Sequence, residues 1–548
     1  MKFKYTKIFL SCTLVALLML GSCTDFLTEK PKSQKSETQF WVNETDARMA
    51  INMLYASGVP ALHASTGWSP KATMYGGLWS GLFVDKRRDR NFSNAVIAGT
   101  FNIQMFDAEA QTIWGYFYQG IARSNAAIVN IPNMTGALTT DQINSFVAQA
   151  KFFRAYNYFY LVKEFGDVPY IDFPYTSPNN MHIPRTPSAE IYGHIEKDLL
   201  DAITVLPNTA FYANGGRITR PMAQALLARV YLQWAGYPVN GGNAVYVKAA
   251  AMAQQVINGG QHALIDPTGT TADLNSAFNR IKTAKAGTPG AIEIIYAREY
   301  NQTLNLGNTY SVHSIEDPAR NASQGFLRPA GDVQYLGYLP APMLISSYHV
   351  DDIRGMEKQF FFRYLNYIPQ TGANAGTNQV LTMGDLGNWA WYDETQMRNG
   401  INGSYDQPNM RYAEVLLIAA EALVRSGGDV ATAQGYLNQV RTRAGLSSIT
   451  LVGDALVQAI LTERLHEMPL EFRVWDDIRR TRLYPEADGI NSGTLKWTPL
   501  AQASIQNKPE EGVATVGVIP VFSLLWPIPL SEMSSNPALV GNQNPGWN

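Results

Sequence analysis

Cysteine is almost absent from this 548-residue chain: Cys12 and Cys23 are its only two, both near the amino terminus. A disulfide framework, a thiolate metal site and a thiol nucleophile deeper in the chain are thereby excluded. Histidine is scarce too, and the seven present (His63, His182, His194, His262, His313, His349 and His466) show no metal-ligand spacing. Charge is sparse, at 16% of residues against roughly 25% in an average soluble domain. With 43 Lys+Arg facing 45 Asp+Glu the net charge is −2, so there is no basic field to hold nucleic acid. The phosphate-loop, dinucleotide, zincin and serine-elbow motifs are all missing. Neither a cofactor nor a bound metal is expected. What is plentiful is aromatic surface: 28 Tyr, 23 Phe and 11 Trp. A 46% hydrophobic share excludes wholesale disorder, and a mean hydropathy of −0.14 excludes a polytopic membrane protein. At about 150 residues per domain, length alone suggests three or four units.

The amino terminus carries an address. Lys2, Lys4 and Lys7 precede an apolar run from Ile8 to Leu20, the charge and length of a secretory signal peptide, and too short to span a bilayer. Leu20-Gly21-Ser22-Cys23 resembles the bacterial lipobox, which implies cleavage after residue 22 and acylation of Cys23. Several acyl chains give stable anchoring where one is marginal. Residues 23–37 are polar and read as a lipidated tether, so membrane contact is expected through the lipid anchor only.

Beyond the tether the periodicity is helical. Helices are expected over Glu44–Tyr55, Trp114–Asn130 and Thr140–Phe165, with a further one around Ala72–Phe83. The clearest pattern is Ala223, Leu226, Leu227, Val230, Tyr231 and Trp234, all on one helical face and stopped by Gly236 and Pro238. A second helix carrying Tyr246, Ala250, Ala253 and Ile257 ends at Gly259-Gly260. Together the two resemble a tetratricopeptide unit. The pattern returns in Tyr412, Leu416, Ala419, Ala420 and Leu423 before Gly427-Gly428, then in Ala433, Tyr436, Leu437, Val440 and Ala444 before Gly445. Residues 140–165 with 189–206, and 453–468 with 471–483, are weaker candidates for further pairs. The fold class is therefore mainly α: a tetratricopeptide-like helical-pair scaffold with a large irregular, loop-rich insertion at 261–407. The insertion shows short strand-like runs such as Ala291–Ala297 and is too long to be a mere connection.

Two charge patterns need interpretation. Glu463, Glu467 and Glu471 are spaced to stack on one helical face, as catalytic carboxylates would be. However, Arg464, Arg473, Arg479, Arg480, Asp476 and Asp477 lie around them and Pro469 interrupts the helix, so an ion-pair network is the better reading. Lys151 and Arg154 sit in a segment apolar nearly all round (Phe152, Phe153, Tyr156, Tyr158, Phe159, Tyr160) and are expected to pair with interior carboxylates.

These residues resemble the SusD/RagB family of outer-membrane nutrient-binding lipoproteins. The resemblance rests on Cys23, Phe40-Trp41, Asn52 and Tyr55; on Trp114, Tyr118, Ile121 and Asn125; and on Ala150–Tyr156 continuing to Phe165-Gly166-Asp167-Val168-Pro169. Arg411–Leu417, Arg441, Arg443-Ala444-Gly445, Glu463-Arg464, Glu467, Glu471, Arg473, Trp526-Pro527-Ile528-Pro529 and Gln543–Trp547 complete it. It implies a non-catalytic, cell-surface glycan-binding protein in the outer membrane. Such a protein delivers oligosaccharide to a SusC-like TonB-dependent transporter and acts as its lid. The corresponding divisions are a helical region at 38–260 with binding loops at 56–110, the insertion at 261–407, and a helical region at 408–548. The alternatives are a peptide or glycopeptide uptake lipoprotein, an adhesin, and a glycoside hydrolase using the Glu463 row or Asp351 and Asp352.

A glycan offers apolar C–H faces and hydroxyl rims, matched by aromatic platforms with Asp, Asn or Arg beside them. Two irregular regions supply both. The first contains Trp68, Tyr75, Trp79, Asp85, Arg87, Arg88 and Asn91. The second contains Tyr296, Tyr300, Asn301, Trp389, Trp391 and Tyr392, in which Trp389 and Trp391 share a face if the backbone is extended. Trp68, Trp389 and Trp391, flanked by Gly, Ser and Asn, are the favoured platforms.

Overall fold

A computed structural model describes residues 40–57, 77, 80–85, 103–175, 181–304, 307–308, 310–314, 338–367, 373–394, 403–503 and 524–547. The leader, Cys23 and the tether lie outside the described residues.

The chain opens with α1 (Glu44–Ser57), where Asn43 and Asp46 cap each other's backbone N–H groups reciprocally. Strand β1 (Phe83–Asp85) follows. Of the helix expected around Ala72–Phe83, Gly77 is helical, but Ser80–Leu82 form a turn and bend and Phe83 already belongs to the strand. Then come α2 (Ile103–Asn130) and α3 (Thr140–Phe165), the latter opened by a Thr139/Gln142 capping box and closed at Gly166, whose φ of 71° suits glycine. Next are α4 (Ser188–Val205), α5 (Arg220–Ala235) and α6 (Gly242–Asn258). These helices stack in order, α2 on α3, α3 on α4, α4 on α5 and α5 on α6.

The chain then leaves the stack. It forms α7 (Ala277–Lys282), β2 (Ile294–Arg298), β3 (Tyr338–Pro340), α8 (Pro342–Ser346), β4 (Phe361–Tyr367), β5 (Gln379–Asn388) and β6 (Gln407–Arg411). It rejoins the stack at α9 (Tyr412–Ser426), which packs directly on α6. Then α10 (Val430–Arg443) and α11 (Gly453–Glu467) lie against α9. The remaining elements are α12 (Val474–Thr481), the hairpin of β7 (Leu483–Ala487) and β8 (Leu495–Pro499), and α13 (Leu530–Ser535). The architecture is thus mainly α, with stacked helix pairs and small two-stranded sheets, as the periodicity indicates.

Helices buried nearly all round carry their charges inside. Arg154 holds Asp198 at 2.7 Å, both buried, as expected for a cation in that apolar segment; Lys151 instead reaches outward to Asp201 at 2.6 Å, both half-buried, because Asp201 lies at the surface where it also pairs with Lys197. Arg229 on α5 meets Glu414 on α9 at 2.6 Å. Burial alone would raise the Glu414 carboxyl, but Arg229 and Arg473 outweigh it and hold it at about 2.

A second network clamps the excursion to the stack. Arg354 contacts Asp352 at 2.7 Å, Glu463 at 2.6 Å and Glu467 at 3.1 Å, all fully or almost fully buried. Arg411 bonds Glu293 at 2.7 Å and Glu467 at 2.8 Å, and Arg443 reaches Glu293 at 2.9 Å. Burial pushes Glu467 up, yet Arg443, Arg411 and Arg354 together bring it down to about 2. Asp352 lies in this network while its neighbour Asp351 is exposed, so the two do not form a pair.

Candidate functional site

Strand β1 pairs antiparallel with β3, Phe83 opposite Pro340 and Asp85 opposite Tyr338. That short pairing brings the end of the first aromatic-rich region onto the second. Phe83 stacks on Tyr338 with ring centres 4.3 Å apart and planes 12° from parallel. Tyr338 in turn stacks on Trp391 at 5.5 Å. From the first region, Trp68, Tyr75, Trp79, Arg87, Arg88 and Asn91 lie outside the described residues, as does the side chain of Asp85, whose backbone lies in β1.

In the second region the two tryptophans part company. Trp389–Trp391 is a single turn of 3-10 helix, not an extended strand, so the two rings do not share a face. Trp391 is 3% exposed, wedged among Tyr310, Tyr338 and Phe472, and its carbonyl accepts the Ser311 hydroxyl at 2.7 Å. It is core. Tyr296 is core as well, edge-on to Tyr156 and Phe211. Tyr300 is buried, with its N–H donating to Asp406 at 2.9 Å and its carbonyl accepting from Lys285 at 3.2 Å. Asn301 is exposed and its side-chain oxygen accepts from the Leu304 N–H.

Trp389 remains half-buried at the surface. Its ring stacks on buried Tyr392 at 5.5 Å and meets Phe362 edge-on at 5.3 Å. Its indole N–H donates to Asn279 at 2.6 Å, and Asn279 is itself fixed by the Lys358 carbonyl at 2.9 Å. These contacts lock the ring's orientation. They also bring cations to it: the Lys282 ammonium stands 3.7 Å from the ring centre and that of Lys358 5.6 Å. Trp389 is therefore not a bare stacking platform but an aromatic seat already bearing an ammonium. Nothing in the local sequence marks Lys282, since α7 is distant in the chain and contributes it only through the fold. Among the described residues, no group of three or more His, Cys, Asp or Glu is arranged to hold a metal ion.

Comparison with known proteins decides the family. A SusD family profile matches residues 355–547, and a SusD-like profile described as starch-binding and associating with the outer membrane matches residues 25–232. The chain belongs to the SusD/RagB family. This SusD-family chain is 29% identical to the SusD-like protein P2 of Formosa agariphila, over 97% of its own length and 98% of the relative's. It is 24% identical to the starch-binding protein SusD of Bacteroides thetaiotaomicron over the full length of both. Among solved structures, a SusD superfamily protein from Parabacteroides distasonis superposes with a TM-score of 0.74 at 25% identity, covering 92% of this chain and 99% of that one.

Proposed function

We propose that the protein is a lipid-anchored, cell-surface glycan-binding subunit of an outer-membrane uptake system. It captures oligosaccharide and delivers it to a SusC-like TonB-dependent transporter, over which it acts as a lid. The observation that carries this reading is the match of the chain to two SusD-family profiles, with the β1–β3 pairing setting Phe83–Asp85 against the excursion. The name of one relative, SusD of Bacteroides thetaiotaomicron, states starch binding, which is consistent with rings and hydroxyl-directed polar groups in place of catalytic machinery.

The carboxylate row gives no support to hydrolysis. Glu463 and Glu467 are buried and each is bonded to arginine, so neither can approach a glycosidic bond. Glu471 is bonded to Arg411 at 2.7 Å.

Isothermal titration of the mature protein against a panel of polysaccharides and derived oligosaccharides tests the reading. At least one saturable glycan isotherm, without release of reducing sugar, is expected. Flat traces throughout, with no transporter co-purifying from native membranes, would overturn it.

A further inference from the structure

Lys282 is the most unusual cation among the described residues. It ends the six-residue helix α7 and is only 9% exposed. The other buried cations described above, Arg154, Arg229, Arg354, Arg411 and Arg443, each have a carboxylate partner. Lys282 has none within ion-pairing or hydrogen-bonding reach among the described residues; its contacts are the face of Trp389 at 3.7 Å and the ring of Tyr405 at 5.6 Å. A ring quadrupole compensates an ammonium only in part, and burying a charge without an acceptor is unfavourable.

The surroundings are built to keep the ammonium in place. Asn279, one turn earlier on α7, accepts the Trp389 N–H and donates to the Lys358 carbonyl and the Ser276 hydroxyl. Lys358 adds a second ammonium on the same indole. Trp389, Lys358 and Tyr405 are all half-buried, so the seat opens at the protein surface.

We propose that Lys282, with Lys358 beside it on Trp389, forms a subsite for an oxyanion carried by the ligand, the carboxylate of a uronic acid or a sulfate ester on a sugar. The proposal rests on the glycan-binding reading and narrows it to acidic glycans. A sugar arriving here meets an ammonium over the indole, not a free ring face. A neutral hydroxyl accepts a hydrogen bond but brings no charge to meet the ammonium, whereas an oxyanion supplies both. The acidic groups facing Lys282 are Asp393 and Glu394, and the cationic one is Lys358. Asp393 accepts the Ser404 N–H and Glu394 is exposed.

Burial lowers the Lys282 ammonium to about 7, against the opposing pull of Asp393 and Glu394. A bound oxyanion raises it again, so binding above pH 7 takes up a proton. Affinity for the acidic ligand then falls by up to about tenfold per pH unit as pH rises above 7.

Two experiments on the mature full-length protein test the subsite. The first titrates a glucuronate-containing oligosaccharide, its carboxyl-reduced neutral counterpart, and a neutral oligosaccharide with and without sulfate esters. One of the two acidic ligands is expected to bind at least about tenfold tighter than its neutral counterpart, as a charge-assisted bond implies, and the tighter one identifies the oxyanion. Lys282→Met should abolish that preference, and Lys358→Met should reduce it. The second needs no variant: Lys282 labelling by an amine-reactive reagent is followed by mass spectrometry with sodium glucuronate, sodium sulfate or glucose present. Protection by one anion and not by glucose is expected. Equal binding of acidic and neutral ligands, or equal labelling of Lys282 in all three solutions, would overturn the subsite while leaving neutral-glycan binding intact. Protection by an anion without binding of any oligosaccharide would instead sustain the oxyanion site and count against the glycan reading.

Discussion

At the scale of single residues, two tryptophans two positions apart have different work to do. Trp391 fills the core between Tyr338 and Phe472, so Trp391→Ala should remove about 3–5 kcal/mol of stability, read by denaturant unfolding. Trp389 is half-buried and holds its ring against Asn279; Trp389→Ala should weaken ligand binding with a smaller loss of stability, measured by titration and melting on the same preparation. The buried arginines form a second class. Arg443 joins Glu293 and Glu467 with neither side exposed. Arg443→Met leaves both carboxylates short of a partner, and a loss of about 3–5 kcal/mol is expected. An unchanged denaturation midpoint would show that water or another cation replaces it.

At the scale of elements, the helix pairs could be read from the chain because burial on one stripe imposes a 3.6-residue period that short-range sequence records directly. Thus α3 is found over Thr140–Phe165 as its pattern indicates, and α9 ends at Gly427 in the left-handed region. The three-residue strands β1 and β3 leave no comparable trace, because their pairing joins Phe83 to Pro340 across the whole helical region. Two arginine partners of the Glu463 row are equally hidden: Arg354 and Arg411 come from the excursion and its return strand, not from the flanking arginines. Arg464, one of those flanking arginines, pairs with Asp477. Of the aromatic candidates, composition marked a stretch but could not separate core from surface, since tryptophan is largely buried in either role. Where α5 ends, Gly236 passes so close to α12 that an added Cβ would sit 2.4 Å from the Arg480 carbonyl oxygen. Gly236→Ala should therefore destabilise by about 1–3 kcal/mol through overpacking, with the melting temperature falling accordingly.

At the scale of the whole molecule, buried titratable groups set the response to acid. Burial lowers the His262 and His466 imidazoles to about 4 and about 3, below the ordinary 6.5. Between pH 6.5 and 4 the unfolded chain therefore binds protons that the folded one refuses, and stability falls as pH drops. Glu414 and Glu467, held at about 2 against the usual 4.5, contribute stability above pH 4.5 that is lost as pH falls toward 2. Unfolding midpoints recorded from pH 8 to pH 3 should decline throughout, through Lys282 down to about pH 7 and through the histidines below about pH 6.5, and steepen below 4.5. A flat profile would show that these groups titrate in the folded state as they do in the open chain. The same molecule separates its tasks: ion pairs lock the excursion to the helical stack, while the Lys282 ammonium, without a carboxylate partner among the described residues, rests on the half-buried Trp389 ring.

The seat formed by Trp389 and Lys282 is where the ligand is placed, and a crystal structure of the mature protein with its tightest-binding oligosaccharide tests this most directly. The sugar is predicted to lie against Trp389 and Lys282. A glycan bound instead on the helical stack, away from the excursion between α6 and α9, would contradict the account.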